Sequence, residues 1–295
     1  DHDIYSEVMT SHQRSSIGNE TIEEYMLRDY KKPKDFASYL YVSQLLQAKG
    51  VKMAIEAHRR HRDQCMGTLY WQLNDCWPVA SWSGIDYYGK WKALHYGVKE
   101  AFKPYLLSHE IQDDQMSFYL VSDELADISG QIQIELLNFD GAVLGTWNEP
   151  VLVKANQTNQ VFEIPMSAIS ESGPLNQMVI KAEFHAENDD ILAENKIYLV
   201  PPKDLDLPDP GITYSVSDFA DHYAVTLKAE RLAKNVFVSS DLPGNFSENY
   251  FDLLPGEEKT ITLSKSAQTS SGGHHLESFT DFDQSLKIQT LKDSY

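Results

Sequence analysis

Met66-Gly67-Thr68-Leu69-Tyr70-Trp71-Gln72-Leu73-Asn74-Asp75-Cys76-Trp77-Pro78-Val79-Ala80-Ser81-Trp82-Ser83-Gly84-Ile85-Asp86 decides how this 295-residue chain is read. Residues 66–71 form a short apolar run, predicted to be a buried strand. Helical patterns flank it. Upstream, Asp35 is placed to N-cap a long helix reaching about Arg62. Its apolar set, Phe36, Tyr39, Leu40, Leu46 and Ile55, suits a period near 3.6, with Gly50 a weak point. Earlier still, Ile22, Tyr25 and Met26 share one helical face before Pro33 breaks the run. Downstream, a further helix is expected from Trp91 to Phe102, stopped by Pro104. Helix, helix, buried strand, long loop, helix is the rhythm of an α/β protein and not of a sandwich.

From Tyr105 onward the pattern changes to period two. Met116–Val121 and Gln131–Leu136 alternate or run apolar as strands do, and Phe139-Asp140-Gly141 supplies a turn. Further strands are expected around Val151, Val161, Val179–Phe184 and Ile191–Val200. About seven short strands with turn signals between them predict an immunoglobulin-like sandwich. Pro201 to Pro210 is proline-rich and stiff, as a domain linker is. A second, smaller set of strands follows: Tyr223–Leu227, Asn235–Ser239, Asn249–Leu254, Lys259–Leu263 and Ser285–Leu291, with Thr269–His275 a polar loop.

The totals bound the function. The length calls for two or three domains. A hydrophobic content of 42% with 11% aromatics is enough to build buried cores. Lys and Arg total 25 against 44 Asp and Glu, a net charge of −19. That balance repels nucleic-acid phosphates and anionic membrane surfaces, while neutral ligands such as sugars are compatible with it. No run approaches the apolar length of a membrane span. Cys65 and Cys76 are too few for a disulfide scaffold. The compartment stays open, with periplasm, exterior or lysosome ahead of cytoplasm. No glycine-rich nucleotide loop, nucleophile elbow or metal-ligand spacing is present, so no cofactor and no metal are expected.

Trp71, Trp77, Trp82 and Trp91 are four of the five tryptophans, and all fall within 21 residues. A pyranose ring has an apolar face that an indole can cover, and hydroxyls that need convergent polar partners. Trp71 is placed at the C-terminal end of a predicted strand, the end that faces the active site in a β/α barrel. Trp71, Gln72, Asn74 and Asp75 are therefore the candidate sugar-binding residues, with Asp86 a further polar group nearby. Trp77, Trp82 and Trp91 are expected to pack the loop.

Tyr70–Pro78, Ser81-Trp82-Ser83, Asp86-Tyr87-Tyr88-Gly89 and Trp91–Tyr96 together resemble the region around the eighth barrel strand of β-mannosidases. These belong to the glycoside hydrolase family that also holds β-galactosidases and β-glucuronidases. Glu56–Arg60, Met66-Gly67-Thr68 and Asn249–Glu257 fit the same resemblance, which runs through nearly the whole chain. It implies the C-terminal part of a (β/α)8 barrel over residues 1–104, then immunoglobulin-like β-sandwiches over 105–202 and 203–295. It also implies an exo-acting retaining hydrolase of terminal non-reducing β-D-mannose, with Trp71 lining the subsite of the cleaved unit. The partner would be a mannose-terminated oligosaccharide or glycan, and a homo-oligomer stays open.

A retaining mechanism needs two carboxylates about 5–5.5 Å apart. The Ser-Glu-aromatic-Gly motif that carries the family's nucleophile does not occur in this sequence, so the resemblance puts both catalytic glutamates upstream of residue 1 and leaves the segment itself inactive. Glu20 follows Asn19 but is predicted in the first turn of a helix. Glu56 and Glu100 lie on predicted helices. His58-Arg59-Arg60-His61-Arg62 is expected to be structural, and His274-His275 to lie in solvent. The alternative is a non-catalytic carbohydrate-binding or adhesion protein of immunoglobulin-like modules, against which the helix–strand–helix start argues. Within hydrolases the alternative is a β-galactosidase or β-glucuronidase.

Overall fold

The computed structural model describes residues 3–265 and 279–295, so the expected loop at Thr269–His275 and the pair His274-His275 lie outside the described residues. Four helices come first: α1 (Glu7–Ser11), α2 (Gly18–Asp29), α3 (Phe36–Arg60) and α4 (Ala93–Ala101). Strands β1 (Tyr105–Gln112) to β7 (Ile191–Ile197) and β8 (Thr213–Asp218) to β13 (Lys287–Gln289) follow, with the short helix α5 (Met166–Ser170) and helix α6 (Phe279–Ser285). The α/β start and the two immunoglobulin-type sandwiches are as the sequence implied, and the start is consistent with part of a barrel-type domain. Packing divides the chain into two compact units: residues 49–70 with 97–206, and residues 1–48 with 71–96 and 207–295.

The first unit holds a sandwich of seven antiparallel strands. One sheet has four, in the order β4 (Val143–Val153), β3 (Ile128–Asn138), β6 (Met178–Ala186), β7. The other has three, in the order β1, β2 (Gln115–Ser122), β5 (Thr158–Pro165). Alternation builds the core. On β3, Ile132, Ile134 and Leu136 are buried, while Gln131, Gln133 and Glu135 between them are not. They meet Phe118, Leu120, Ile180 and Phe184. Each such side chain contributes roughly 1.5–3 kcal/mol by leaving water. Gly130 is required where β3 meets β6, because an added Cβ would lie 2.2 Å from the His185 carbonyl oxygen.

The basic run at the end of α3 is tied into this unit as expected. Buried Arg59 donates to the carbonyl oxygens of Ala101 (2.6 Å) and Lys103 (2.9 Å) and to Asp123 (2.8 Å). It therefore satisfies carbonyls that the C-terminus of α4 leaves without helical partners. Arg60 donates to Ser108 Oγ at 2.6 Å, and Arg62 to the Ser122 carbonyl at 2.8 Å and Asn156 at 2.6 Å.

In the second unit the sheets are β12 (Glu258–Ser264), β9 (His222–Lys228), β8 and β11 (Phe251–Leu253), β10 (Ala233–Ser239), β13. Val225, Leu227, Val236, Val238, Ile261 and Leu263 fill the space between them, with Phe282 of α6. The Phe282 ring stacks on Tyr223 at 4.3 Å. Helical residues lie against this sandwich through aromatics. Tyr41 hydroxyl donates to the Asn235 carbonyl (2.5 Å), Phe237 stacks on Tyr250 at 4.7 Å, and Tyr96 hydroxyl donates to the Phe246 carbonyl (3.0 Å).

Two expectations need correction. Residues 66–71 have no regular secondary structure and join no sheet among the described residues; Met66 is 90% and Leu69 99% exposed, so the run is not a buried strand. An apolar run is buried only where neighbours pair and cover it, and here none does. Leu40 is exposed as well, because the buried face of α3 runs through Tyr39, Val42 and Leu45. The long helix itself is as expected: α3 runs unbroken through Gly50.

Gly50 is exposed, and a Cβ there would meet nothing within 4 Å. Gly50→Ala is expected to raise stability by about 0.5–1 kcal/mol, by removing unfolded-chain freedom inside a helix. A urea midpoint that falls instead would show a packing role for this position that the geometry does not contain.

Candidate sugar-binding loop

The loop that follows residues 66–70 is built from two arms and a return. Gly84 N–H donates to the Gln72 carbonyl (3.0 Å), Ile85 N–H to the Leu73 carbonyl (2.9 Å), and Asp75 N–H to the Ile85 carbonyl (3.0 Å). Asn74 and Ile85 form a parallel bridge, and Ile85 also bridges Trp91. Lys92 N–H closes the return on the Gly84 carbonyl at 2.9 Å. A loop this polar needs such bonds, since a buried backbone group without one is costly.

Trp71 stands at the head of the first arm and is 73% exposed. The peptide from Trp71 to Gln72 is cis. Gln72 is half-buried, and Asn74 is exposed with its amide donating to the Asp75 carbonyl at 3.1 Å. Asp75 is placed differently. Its side chain is 1% exposed and pairs with Lys92 Nζ at 2.8 Å. It also accepts from Ser83 Oγ (2.7 Å) and Ser81 Oγ, while Lys92 Nζ donates to Ser83 Oγ at 2.7 Å. Burial alone would raise the Asp75 pKa, but the hydrogen bonds from Lys92, Ser81 and Ser83 outweigh it and hold the carboxyl below its ordinary range. The structure thus gives Trp71, Gln72 and Asn74 to the surface arm and turns Asp75 inward.

Two of the three tryptophans expected to pack do so. Trp77 stacks on His12 at 5.5 Å and lies beneath the Arg14 guanidinium at 4.7 Å. His12 Nδ1 donates to the Pro78 carbonyl (2.5 Å), and Ala80 N–H donates to the His12 carbonyl (3.0 Å). Trp91 packs on His95 at 4.6 Å and Tyr96 at 5.5 Å. Trp82 is the exception: it is 65% exposed, because Ser81 and Ser83 beside it turn inward to Asp75 and leave the residue between them facing out. Asp86 caps the return, its carboxylate accepting from Tyr88 and Lys90 N–H groups at 2.8 and 2.9 Å.

Glu20 sits in the first turn of α2, Glu56 is buried beside Lys52 at 3.7 Å, and Glu100 pairs with Lys103 at 2.5 Å. Cys65 and Cys76 are both free. Among the described residues no group of three or more His, Cys, Asp or Glu is placed to hold a metal ion. Among the described residues no helix is long and apolar enough to cross a membrane. A surface depression lined by Gly130, Val151, His185 and Asp189 belongs to the first sandwich and does not include Trp71.

A family model described as a Mannosidase Ig/CBM-like domain matches residues 114–204, and one described as an Ig-fold domain of the Ig_mannosidase family matches 207–294. Beta-mannosidase A of Aspergillus oryzae is 30% identical over 276 residues, covering 88% of this chain. The chain is a homologue of the β-mannosidases. The β-mannosidase of Capra hircus is 28% identical over 274 residues. The crystal structure of the β-D-mannosidase from Dictyoglomus thermophilum matches with a TM-score of 0.82 and 26% identity, over 96% of this chain and 33% of that one. The Amycolatopsis orientalis exo-chitosanase CsxA shares the fold, with a TM-score of 0.70 at 19% identity. The chain spans about 30% of the length of the curated β-mannosidases it matches.

Proposed function

We propose that this chain is the C-terminal portion of an exo-acting, retaining β-mannosidase that removes terminal non-reducing β-D-mannose from oligosaccharides or glycans. Residues 1–104 are the last part of its barrel, and 105–202 and 203–295 its two sandwiches. The observation that carries this reading is the exposed indole of Trp71 at the head of a loop held by its own buried ion pair. A bare indole fixed on a rigid loop suits the apolar face of a pyranose. Gln72 and Asn74 on the same arm are the polar partners. Asp75 is a positioning group and does not meet the sugar, because its carboxylate is already bonded to Lys92, Ser81 and Ser83.

The acid/base and nucleophile are assigned to no residue of 1–295; the part of the protein preceding this segment supplies them. The test is turnover of aryl β-D-mannoside, β-D-galactoside and β-D-glucuronide by the whole protein and by residues 1–295 alone. The expected result is a preference for the mannoside of roughly 100-fold or more in kcat/KM, a difference of about 3 kcal/mol in transition-state binding. No turnover by the segment is expected. Preference for either other glycoside, or hydrolysis by the segment alone, would overturn the assignment.

A further inference from the structure

The second sandwich does more than close the chain. Its turn at Leu242-Pro243-Gly244-Asn245-Phe246 reaches the return arm of the Trp71 loop. Asn245 Oδ1 accepts from Trp91 N–H (2.8 Å), and its Nδ2 donates to the Gly89 carbonyl (3.0 Å). One amide thus grips the backbone on both sides of Lys90, as a neighbouring strand would; an amide suits this because it donates and accepts at once. Lys90 returns the contact, its ammonium donating to the carbonyls of Gly244 (2.8 Å) and Leu242 (3.2 Å). Gly244 has φ of +111°, which glycine adopts without strain. Leu242 and Phe246 on either side are buried in the sandwich core, so the turn is anchored at both ends.

The grip is transmitted. Trp91 is followed by Lys92, whose N–H donates to the Gly84 carbonyl at 2.9 Å. Gly84 N–H in turn donates to the Gln72 carbonyl at 3.0 Å, and Gln72 is bonded to Trp71. We infer that Asn245 is a positioning residue for the sugar site: it fixes the return arm against the second sandwich and thereby sets where the Trp71 indole stands. This rests on the reading of Trp71 as the ring that meets mannose. Small misplacements of a binding group are costly in catalysis, which gives a side chain so far along the sequence leverage over the site.

The test uses the whole protein with Asn245→Ala, Asn245→Asp and Trp71→Ala. Hydrogen exchange is followed over residues 84–91, and kcat and KM are measured on aryl β-D-mannoside. In Asn245→Ala, exchange over 84–91 is expected to speed up roughly tenfold, while residues 130–136 keep their rates. KM is expected to rise about three- to tenfold with kcat changed less than threefold, a split that mere loss of stability would not produce. Asn245→Asp keeps the acceptor for Trp91 N–H, and is expected to recover most of that residue's protection and at least half of the KM effect. Unaltered exchange in Asn245→Ala overturns the inference, as does faster exchange with wild-type KM while Trp71→Ala is impaired. If Trp71→Ala itself has wild-type kinetics, the sugar role of Trp71 falls. Exchange alone then decides whether Asn245 supports the loop.

Discussion

Lys92→Ala is expected to destabilise the unit that carries the Trp71 loop by about 3–5 kcal/mol at neutral pH. The substitution removes the counter-charge of a carboxylate that is 1% exposed and leaves Ser81 and Ser83 as its remaining partners. Breaking one half of a buried pair costs more than replacing both halves, because the surviving charge stays desolvated. The double variant Asp75→Leu with Lys92→Met is therefore expected to be less damaging than Lys92→Ala alone, and the two positions to couple in a double-mutant cycle. Four of the five tryptophans lie in this unit, so urea melts followed by intrinsic fluorescence report on it. The pH dependence has a definite sign. The folded-state pKa of Asp75 is held below its ordinary value, so its contribution is present above the unfolded-state value near 4 and is lost as pH falls through the folded one. In Lys92→Ala the lowering by Lys92 is lost while burial and the Ser81 and Ser83 bonds remain, so the variant has less of this contribution to lose as pH falls. The gap between wild type and variant is expected to narrow below about pH 4. A gap that is constant with pH, or below about 1 kcal/mol throughout, would show that the pair does not hold the loop.

Arg59→Ala is the counterpart in the other unit, with an expected loss of about 2–4 kcal/mol. The guanidinium donates to two carbonyls at the end of α4 and to Asp123, and it is buried. Asp123 is half exposed and can turn to water, so the cost comes chiefly from the Ala101 and Lys103 carbonyls left without donors and from lost packing of the side-chain stem. Arg59→Lys is expected to recover less than half of the loss, since one ammonium cannot span both carbonyls and the carboxylate as a planar fork does. Trp147 is the one tryptophan of this unit and serves as its local probe. Full recovery by lysine would mean that charge alone, and not the fork geometry, is what the site requires.

What the sequence disclosed follows from how each element meets its surroundings. The strands of the first sandwich were legible because one face of each is buried, as Ile132, Ile134 and Leu136 show on β3. Strand β8 was not, because its residues are exposed apart from Val216, and an edge strand without an apolar face leaves no alternation to read. Residues 66–71 carry the composition of a buried strand, yet exposure depends on neighbours that composition cannot see. The loop was found through its density of tryptophans, which is a local signal. Its supports were not, because His12, Arg14 and Asn245 lie about 60 and 150 residues from the groups they hold. Trp82 was expected to pack and is exposed, while Asp75, a candidate to meet a sugar, is turned inward. Composition marks both as able to meet a sugar or to pack, and only the inward turn of Ser81 and Ser83 decides which faces out.

The most direct measurement of the central claim is the kinetics of Trp71→Ala and Trp71→Phe in the whole protein on aryl β-D-mannoside. An indole that covers the apolar face of the sugar contributes on the scale of a buried aromatic side chain, so kcat/KM is expected to fall roughly 10- to 100-fold for alanine. Phenylalanine keeps a flat apolar face and is expected to stay within about tenfold of wild type. An alanine variant that folds normally and turns over the mannoside within twofold of wild type would contradict the account.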